Sequence, residues 1–350
     1  MKNRIIGILS VLATLLLEYG CVKDNKFAST PQGNFEALWT ILDHNYCFFD
    51  LKKETFNLDW DSVYVQYKAQ IHPDMTEREL FDVLGSMVNE LRDGHVNLIT
   101  PFATSFYDSF YMDYEPNFSH DFLARSERYL AKDCYSTGGM CYKIFPDGIG
   151  YIYYGDFSNV LSDRQIMEIL HYFKDCHSLI IDIRGNGGGN GDFAKTLPGF
   201  FTDKETLVGY IRHKTGPGRN DFSESQSITV KPFNGTGVWL RPVVVLTNRE
   251  CFSAANDFAN NMRYMPYTTL IGQPTGGGGG FPFTKELPNG WEIRLSTAPT
   301  FDREMNPVEQ GISPKILVET GTEDYITHGV DNIIEYARSV LFAAYLLGYE

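Results

Sequence analysis

Apolar residues recur with two different periods along this chain, and the two periods separate an N-terminal part from the rest. Between positions 34 and 91 they recur every three or four residues, as at Phe35, Leu38 and Leu42, which predicts amphipathic helices. From position 148 onward, short apolar runs alternate with amphipathic stretches. Because buried parallel strands have such runs, the pattern predicts an α/β core with a mixed, largely parallel sheet and flanking helices.

The same pattern sets the expected domain boundaries. The α/β core is expected to occupy residues 148–350, and a small helical N-terminal domain residues 34–98. Residues 99–147 are rich in aromatic and polar side chains with weak periodicity, so we expect connecting strands and loops there. The predicted core strands are 148–154, 178–183, 242–248, 269–272, 291–298 and an edge strand at 311–318; the predicted core helices are 163–173, one near 193, one from 253 and 331–347.

The first 33 residues are not expected to belong to the folded core. Lys2 and Arg4 precede an apolar run of the length of a signal peptide, which is short for a membrane span. Gly20-Cys21 at its end resembles a bacterial lipoprotein cleavage site. We therefore expect residues 1–21 to be a lipoprotein signal with lipidation at Cys21, followed by a tether at 22–33, and the protein to be lipid-anchored in the cell envelope, in the periplasm or outer membrane. An ordinary cleaved signal or a signal anchor is the alternative.

Charge and composition exclude several ligand classes. A protein with a formal net charge of −14 repels the negatively charged phosphate backbone of nucleic acids, so no nucleic-acid partner is expected. Two glycine-rich loops, 185–191 and 276–280, both depart from dinucleotide and phosphate-loop patterns at a defining position. No metal is expected either, because the histidines and cysteines form none of the usual zinc motifs. We therefore predict neither a nucleotide nor any other cofactor.

A serine at a predicted helix start has two interpretations. Ser253 follows a buried strand and a short polar turn, and Ala254, Phe258 and Met262 behind it form an apolar helical stripe. Serine in this position most often caps the helix. It could instead be a nucleophile, because the backbone N–H groups at a helix start can receive an oxyanion. His95, which lies at a break between helix and strand, is the candidate base.

Four segments carry a family resemblance that covers roughly residue 35 onward. LRDGHVNL, LIIDIRGNGGG, LTNRECFSAANDF and GQPTGGGGG, in this order, resemble the tail-specific (C-terminal-processing) serine peptidase family. The resemblance implies a ClpP/crotonase-like core and a serine-type peptidase that cleaves unfolded or tail-exposed proteins and peptides. Members often carry a PDZ domain, but the interval at 101–147 is too short for one, so none is expected.

The resemblance also suggests which residues act, because the family divides by its general base. In one branch a lysine is the base, and the matching position here is Gly278; Lys285 falls later, in the following predicted strand. The other branch, similar to the tricorn core protease, uses a histidine and a glutamate. By that match, Ser253 is the nucleophile, His95 the base and Glu309 the carboxylate that orients it.

Residue matching further implies an oxyanion hole. It would consist of the backbone N–H groups of Gly188 and Ala254, with Gly187 as an alternative to Gly188, because the loop has no side chains to fix the register. Two other functions stay open at this point. One is a non-catalytic lipoprotein that binds peptides or lipids on the same fold, and the other is an esterase with the same catalytic residues.

Overall fold

The computed structural model describes residues 27–107, 109, 114, 117–319 and 329–348. The predicted signal segment, Cys21 and the first part of the tether, residues 22–26, lie outside these residues. Within the part of the chain that the model describes, no helix combines the length and apolarity needed to cross a bilayer.

The predicted helices form, and their ends follow ordinary capping rules. The side chain of Thr30 accepts a hydrogen bond from the Gly33 N–H, so the first helix begins inside the segment predicted as a tether. Thr76 and Glu79 form a reciprocal capping box at the start of the fourth helix, as the spacing suggests. The α-helices are α1 (Pro31–Asn45), α2 (Phe49–Phe56), α3 (Trp60–Lys68), α4 (Glu77–Asn89), α5 (His120–Arg125), α6 (Asp163–Tyr172), α7 (Gly191–Thr196), α8 (Ala254–Met262) and α9 (Asn332–Leu346).

The strands form two sheets. They are β1 (Asn97–Ile99), β2 (Tyr135–Thr137), β3 (Met140–Ile144), β4 (Ile149–Tyr154), β5 (Ser178–Asp182), β6 (Thr206–Ile211), β7 (Gln226–Val230), β8 (Val243–Thr247), β9 (Thr268–Gly272), β10 (Gly280–Glu286), β11 (Glu292–Asp302) and β12 (Ile316–Leu317).

The larger sheet has the strand order β12-β9-β8-β5-β4-β3-β2. The strands from β12 to β4 are parallel, whereas β3 and β2 pair antiparallel, so the predicted mixed, largely parallel sheet is confirmed. The second sheet, β1-β11-β6-β7 with β10 paired to β11, is antiparallel. It was not expected as a separate sheet, because its strands come from distant parts of the chain and only tertiary contacts bring them together.

Both faces of the parallel strands are buried, which explains their continuous apolar runs. In β8, Val243 and Val245 pack on one side with Phe258 and Met262 of α8. Val244 on the other side belongs to the core that includes α9. Helices therefore cover the sheet on both faces, as expected for parallel strands.

The N-terminal helices share a core with the second sheet. Phe35, Leu38 and Leu84 of these helices belong to the same apolar cluster as Trp291 and Ile293. The helical region predicted as a small domain at 34–98 is thus packed onto β11, which lies in the predicted catalytic core. This packing brings the segment after α4 to the helix start at Ser253.

Candidate active site

Ser253 occupies a strained backbone position between β8 and α8. Its φ is 56° and its ψ is −122°, a backbone conformation that residues other than glycine rarely adopt. Ser253 stands at the N-cap of α8, yet its side chain makes no capping hydrogen bond. The Ser253 hydroxyl therefore does not cap the helix, which is what serine most often does at a helix start.

The Ser253 hydroxyl lies beside the imidazole of His95 instead. The distance between His95 Nε2 and Ser253 Oγ is 2.9 Å, although 158 positions separate the residues. Asp93 fixes the backbone of His95, because its Oδ1 accepts a hydrogen bond from the His95 N–H at 2.8 Å. The other carboxylate oxygen accepts the hydroxyls of Tyr46 and Ser296 at 3.0 and 2.9 Å. The structure thus brings the predicted nucleophile and base to hydrogen-bonding distance.

The surroundings of His95 favour its neutral form. The residue is buried, and burial lowers the pKa of the imidazole to about 4; the charge of Asp93 raises this pKa, and those of Arg294 and Lys52 lower it. The ring also packs against Phe252, with ring centroids 4.8 Å apart. At neutral pH the imidazole is therefore in the neutral form, which is the form that can accept a proton from a hydroxyl.

The structure does not bring Glu309 to His95. Among the described residues, His95 Nδ1 has no hydrogen-bond partner. The Glu309 carboxylate contacts Lys52 Nζ at 3.0 Å and accepts the Gly279 N–H at 2.9 Å. In this structure the Glu309 carboxylate therefore makes no hydrogen bond to His95, and its role as the carboxylate that orients the imidazole stays a prediction.

Glu309 is connected to Ser253 along the glycine run. Its backbone carbonyl accepts the Gly278 N–H, and its side chain holds the next N–H, that of Gly279. The Gly277 carbonyl in turn accepts the N–H of Ser253 at 2.8 Å. Burial, then the charge of Asp93, raises the pKa of Glu309 to about 7, whereas Lys52 acts in the opposite direction. Glu309 thus positions the loop that holds the Ser253 backbone.

The two predicted oxyanion donors lie next to each other. A Cβ added at Gly188 would lie 2.8 Å from Ser253 Cβ and 2.9 Å from the Ala254 nitrogen. However, the Gly188 N–H donates to Asn186 Oδ1 at 2.9 Å, so in this structure it already has an acceptor. Within the described residues, the N–H groups of Ala254 and Gly187 donate to no acceptor. The N–H of Gly187, the alternative from the sequence, is therefore available as a donor, whereas that of Gly188 is not.

The position that matches the lysine branch cannot hold a side chain in this conformation. Gly278 has a φ of 85°, and an added Cβ would lie 2.7 Å from the Phe252 ring and 3.0 Å from the Ser253 nitrogen. Lys285 lies in β10, where it pairs with Ile293. In the described part of the chain, no cluster of three or more His, Cys, Asp or Glu side chains could hold a metal ion.

Sequence reasoning missed two residues of the site. Lys52 is buried in α2, and its neighbour Lys53 gives the same sequence signal but is exposed, so no pattern distinguishes them. Asn186 lies in the glycine-rich loop and was not singled out in the sequence. Its Nδ2 donates to the Tyr154 carbonyl at 2.8 Å, and its Oδ1 accepts the Gly188 N–H. A polar side chain inside a glycine loop is a usable signal, because such side chains often fix turn backbones.

Comparisons with known proteins identify the family of this chain. The model of peptidase family S41 matches residues 148–318, and that of the tricorn protease C1 domain matches residues 27–89. A solved structure from Parabacteroides merdae ATCC 43184, of a protein classed as a peptidase, is 44% identical, with a TM-score of 0.83 over 90% of this chain and 98% of that one. The chain belongs to peptidase family S41. The predicted family and the expected serine-type peptidase class are thereby confirmed.

More distant matches to this S41 family member include a curated protease and a solved structure with the same fold. The carboxy-terminal processing protease CtpA of Bacillus subtilis (strain 168) is 28% identical over 42% of this chain and 29% of its own length. The match thus spans less than a third of the length of these curated relatives. The structure of mature CPAF has a TM-score of 0.66 at 13% identity, covering 89% of this chain and 96% of that chain, which shows the shared fold.

Proposed function

We propose that this protein is a serine endopeptidase that cleaves unfolded or tail-exposed proteins and peptides through an acyl-enzyme. The observation that carries the proposal is the 2.9 Å contact between His95 Nε2 and Ser253 Oγ at a strained backbone position. Side chains held in sparsely populated backbone conformations are typical of functional sites. The names of the relatives favour a peptide bond as the target.

In the first step, His95 Nε2 removes the proton from Ser253 Oγ while the oxygen attacks the substrate carbonyl. The neutral imidazole that burial favours is the form that can accept this proton. The imidazolium that results is stabilised by the nearby charge of Asp93, which raises the histidine pKa. Asp93 also fixes the histidine backbone, so the ring keeps its position throughout the step.

The tetrahedral oxyanion would be bound by the N–H groups of Ala254 and Gly187, helped by the positive end of α8. The His95 imidazolium then gives its proton to the leaving amine nitrogen, and the C–N bond breaks. Water attacks the remaining serine ester with His95 again as base. This second step releases the carboxyl product and restores the Ser253 hydroxyl.

Replacing the nucleophile tests the proposal. Purified Ser253→Ala should lose several powers of ten in kcat on an unfolded protein such as reduced, alkylated casein. The matched control is Ser313→Ala, because Ser313 is exposed and should tolerate the same change. Retained proteolysis by Ser253→Ala would exclude Ser253 as the nucleophile.

The two alternative functions require different readouts. A non-catalytic binder should not react with a fluorophosphonate probe, whereas the proposed enzyme is labelled at Ser253 in the wild type and not in Ser253→Ala. An esterase would hydrolyse an ester at a rate far above that of the matching amide. The contact between His95 and Ser253 favours an enzyme over a binder, since a binder has no need of it.

We also propose that the protein is exported and anchored to the cell envelope through a lipid on Cys21. The support is the sequence alone: a charged start, an apolar run and a cysteine after Gly20. Mass spectrometry of the mature N-terminus should find acylated Cys21, and Cys21→Ser should move the protein to the soluble fraction. An unmodified mature N-terminus at another residue would contradict the anchor.

A further inference from the structure

A cavity of about 120 Å³ opens between α7, α8 and the strands of the second sheet. Its walls are mostly apolar and include Ile228, Phe281, Phe301 and Val308. The side of the cavity formed by α8 is polar and carries Asp257, Asn260 and Asn261. We call this cavity the acidic pocket. It combines apolar walls with one polar side.

The polar side of the acidic pocket has acceptors without donors. Among the described residues, the Asp257 carboxylate has no hydrogen-bond or ion-pair partner, and Asn260 Oδ1 is buried without one. Asn260 Nδ2 donates to the Val208 carbonyl at 3.1 Å, which fixes the orientation of that amide. Asp192 and Lys195, which are both exposed, also line the pocket. Among the described residues, no donor or cation is therefore bonded to the Asp257 carboxylate.

Several residues that line the acidic pocket directly follow or precede residues of the proposed catalytic site. Asp257 is one helical turn beyond the nucleophile, since its backbone N–H donates to the Ser253 carbonyl at 3.0 Å. Gly191 begins α7 directly after the glycine loop, and Phe281 directly follows the glycine run at Gly280. Val308 precedes Glu309. The elements that hold the nucleophile thus also build this pocket.

We propose that the acidic pocket receives the side chain of the substrate residue that supplies the attacked carbonyl, and that Asp257 selects lysine or arginine there. This inference rests on the proposed peptidase function. The apolar walls would contact the aliphatic stem, and the carboxylate would bind the cationic head. Asn260 Oδ1 offers a second acceptor for the same group. A glutamate in the substrate would meet an unpaired carboxylate and be rejected.

The electrostatic environment of Asp257 also favours a cationic side chain in the pocket. Burial raises the pKa of Asp257 to about 7, because no neighbouring group compensates the charge. A cation entering the pocket supplies that compensation and favours the carboxylate. Asp257→Asn keeps the shape of the side chain but removes the charge, so this variant isolates the electrostatic contribution.

The test uses four fluorogenic peptides that differ only in the residue before the scissile bond: lysine, arginine, norleucine or glutamate. Norleucine matches the lysine stem without its charge. For the wild-type protein we expect kcat/KM for lysine or arginine to exceed that for norleucine by roughly 10- to 100-fold, with glutamate lowest. In Asp257→Asn this preference should disappear, whereas the exposed control Asp203→Asn should keep it. Fluorophosphonate labelling of each variant reports whether the nucleophile is intact.

The outcomes separate the two proposals. A labelled wild-type protein that cleaves the norleucine peptide as well as the lysine peptide overturns the role of Asp257 and leaves the peptidase function standing. A wild-type protein that is neither labelled nor active on any peptide overturns the peptidase function itself. Should Asp257→Asn fail to fold, the wild-type comparison and cut sites mapped by mass spectrometry in unfolded casein decide. Cuts without a preceding lysine or arginine count against the proposal.

Discussion

Lys52 Nζ lies 3.0 Å from Glu309 Oε1, although 257 positions separate the two residues. The ammonium also donates to the Arg92 carbonyl at 3.0 Å, close to the turn that carries His95. Glu309 holds the glycine run whose Gly277 carbonyl accepts the Ser253 N–H. This ion pair therefore connects the N-terminal helices to the segments that carry His95 and Ser253.

Replacing Lys52 by methionine should weaken both folding and catalysis. The Glu309 carboxylate would be left buried without its cation, which typically costs about 3–5 kcal/mol in the free energy of unfolding. We expect kcat/KM to fall roughly tenfold or more, because small displacements of catalytic groups have effects of this size. Urea unfolding and peptide turnover measure the two effects.

Two further variants make the Lys52 prediction specific. Lys53→Met changes the exposed neighbour in the same helix and should behave like the wild type. The double variant Lys52→Met/Glu309→Gln removes both charges and should be more stable than Lys52→Met alone. Equal stability of the single and double variants would show that the pair contributes no coupling.

The activity should depend on pH through His95. Its pKa is lowered to about 4, so the neutral base persists down to that pH, and kcat/KM should rise with pH to a plateau with a midpoint of about 4. Below the midpoint the imidazole is protonated and cannot accept the Ser253 proton. Glu309→Gln should keep this limb, because Glu309 does not contact His95. A midpoint near the ordinary histidine value would mean that the ring is not buried during catalysis.

Gly278→Ala should impair the site, and Gly290→Ala provides a control with the same backbone conformation. Both glycines have a φ of 85°, but a Cβ at Gly278 meets the Phe252 ring at 2.7 Å, whereas nothing lies within 4 Å of one at Gly290. Each alanine has the strain of a positive φ, of order 1 kcal/mol. Only Gly278→Ala should also displace Ser253 and lower kcat. Equal activity of the two variants would argue against tight packing at Gly278.

Lys285→Ala should leave catalysis nearly unchanged. Lys285 is paired in β10 with Ile293 and makes no contact with Ser253 among the described hydrogen bonds. We expect kcat/KM within about twofold of wild type, as for most surface changes. A loss comparable to that of Ser253→Ala would return the lysine branch to consideration. Steady-state turnover of one peptide is sufficient for this comparison.

Local periodicity determined most of the secondary structure. The apolar run SLIIDI predicts β5, and the stripe of Ala254, Phe258 and Met262 predicts α8; both form at nearly the expected positions. Burial is encoded in these patterns, because one face of a helix, or both faces of a parallel strand, must be apolar. The predicted edge strand at 311–318 is much shorter in the structure, where only Ile316–Leu317 pairs with β9.

What the sequence by itself determined about the site was its nucleophile and base as candidates, through Ser253 at a helix start and His95 in a recognisable segment. Only the tertiary structure decided that they meet, that Glu309 binds Lys52 rather than His95, and that the Gly188 N–H is occupied by Asn186. The reason is physical. Periodicity reports which face of an element is buried, whereas the partner of a buried polar group depends on how two sheets and the N-terminal helices pack together.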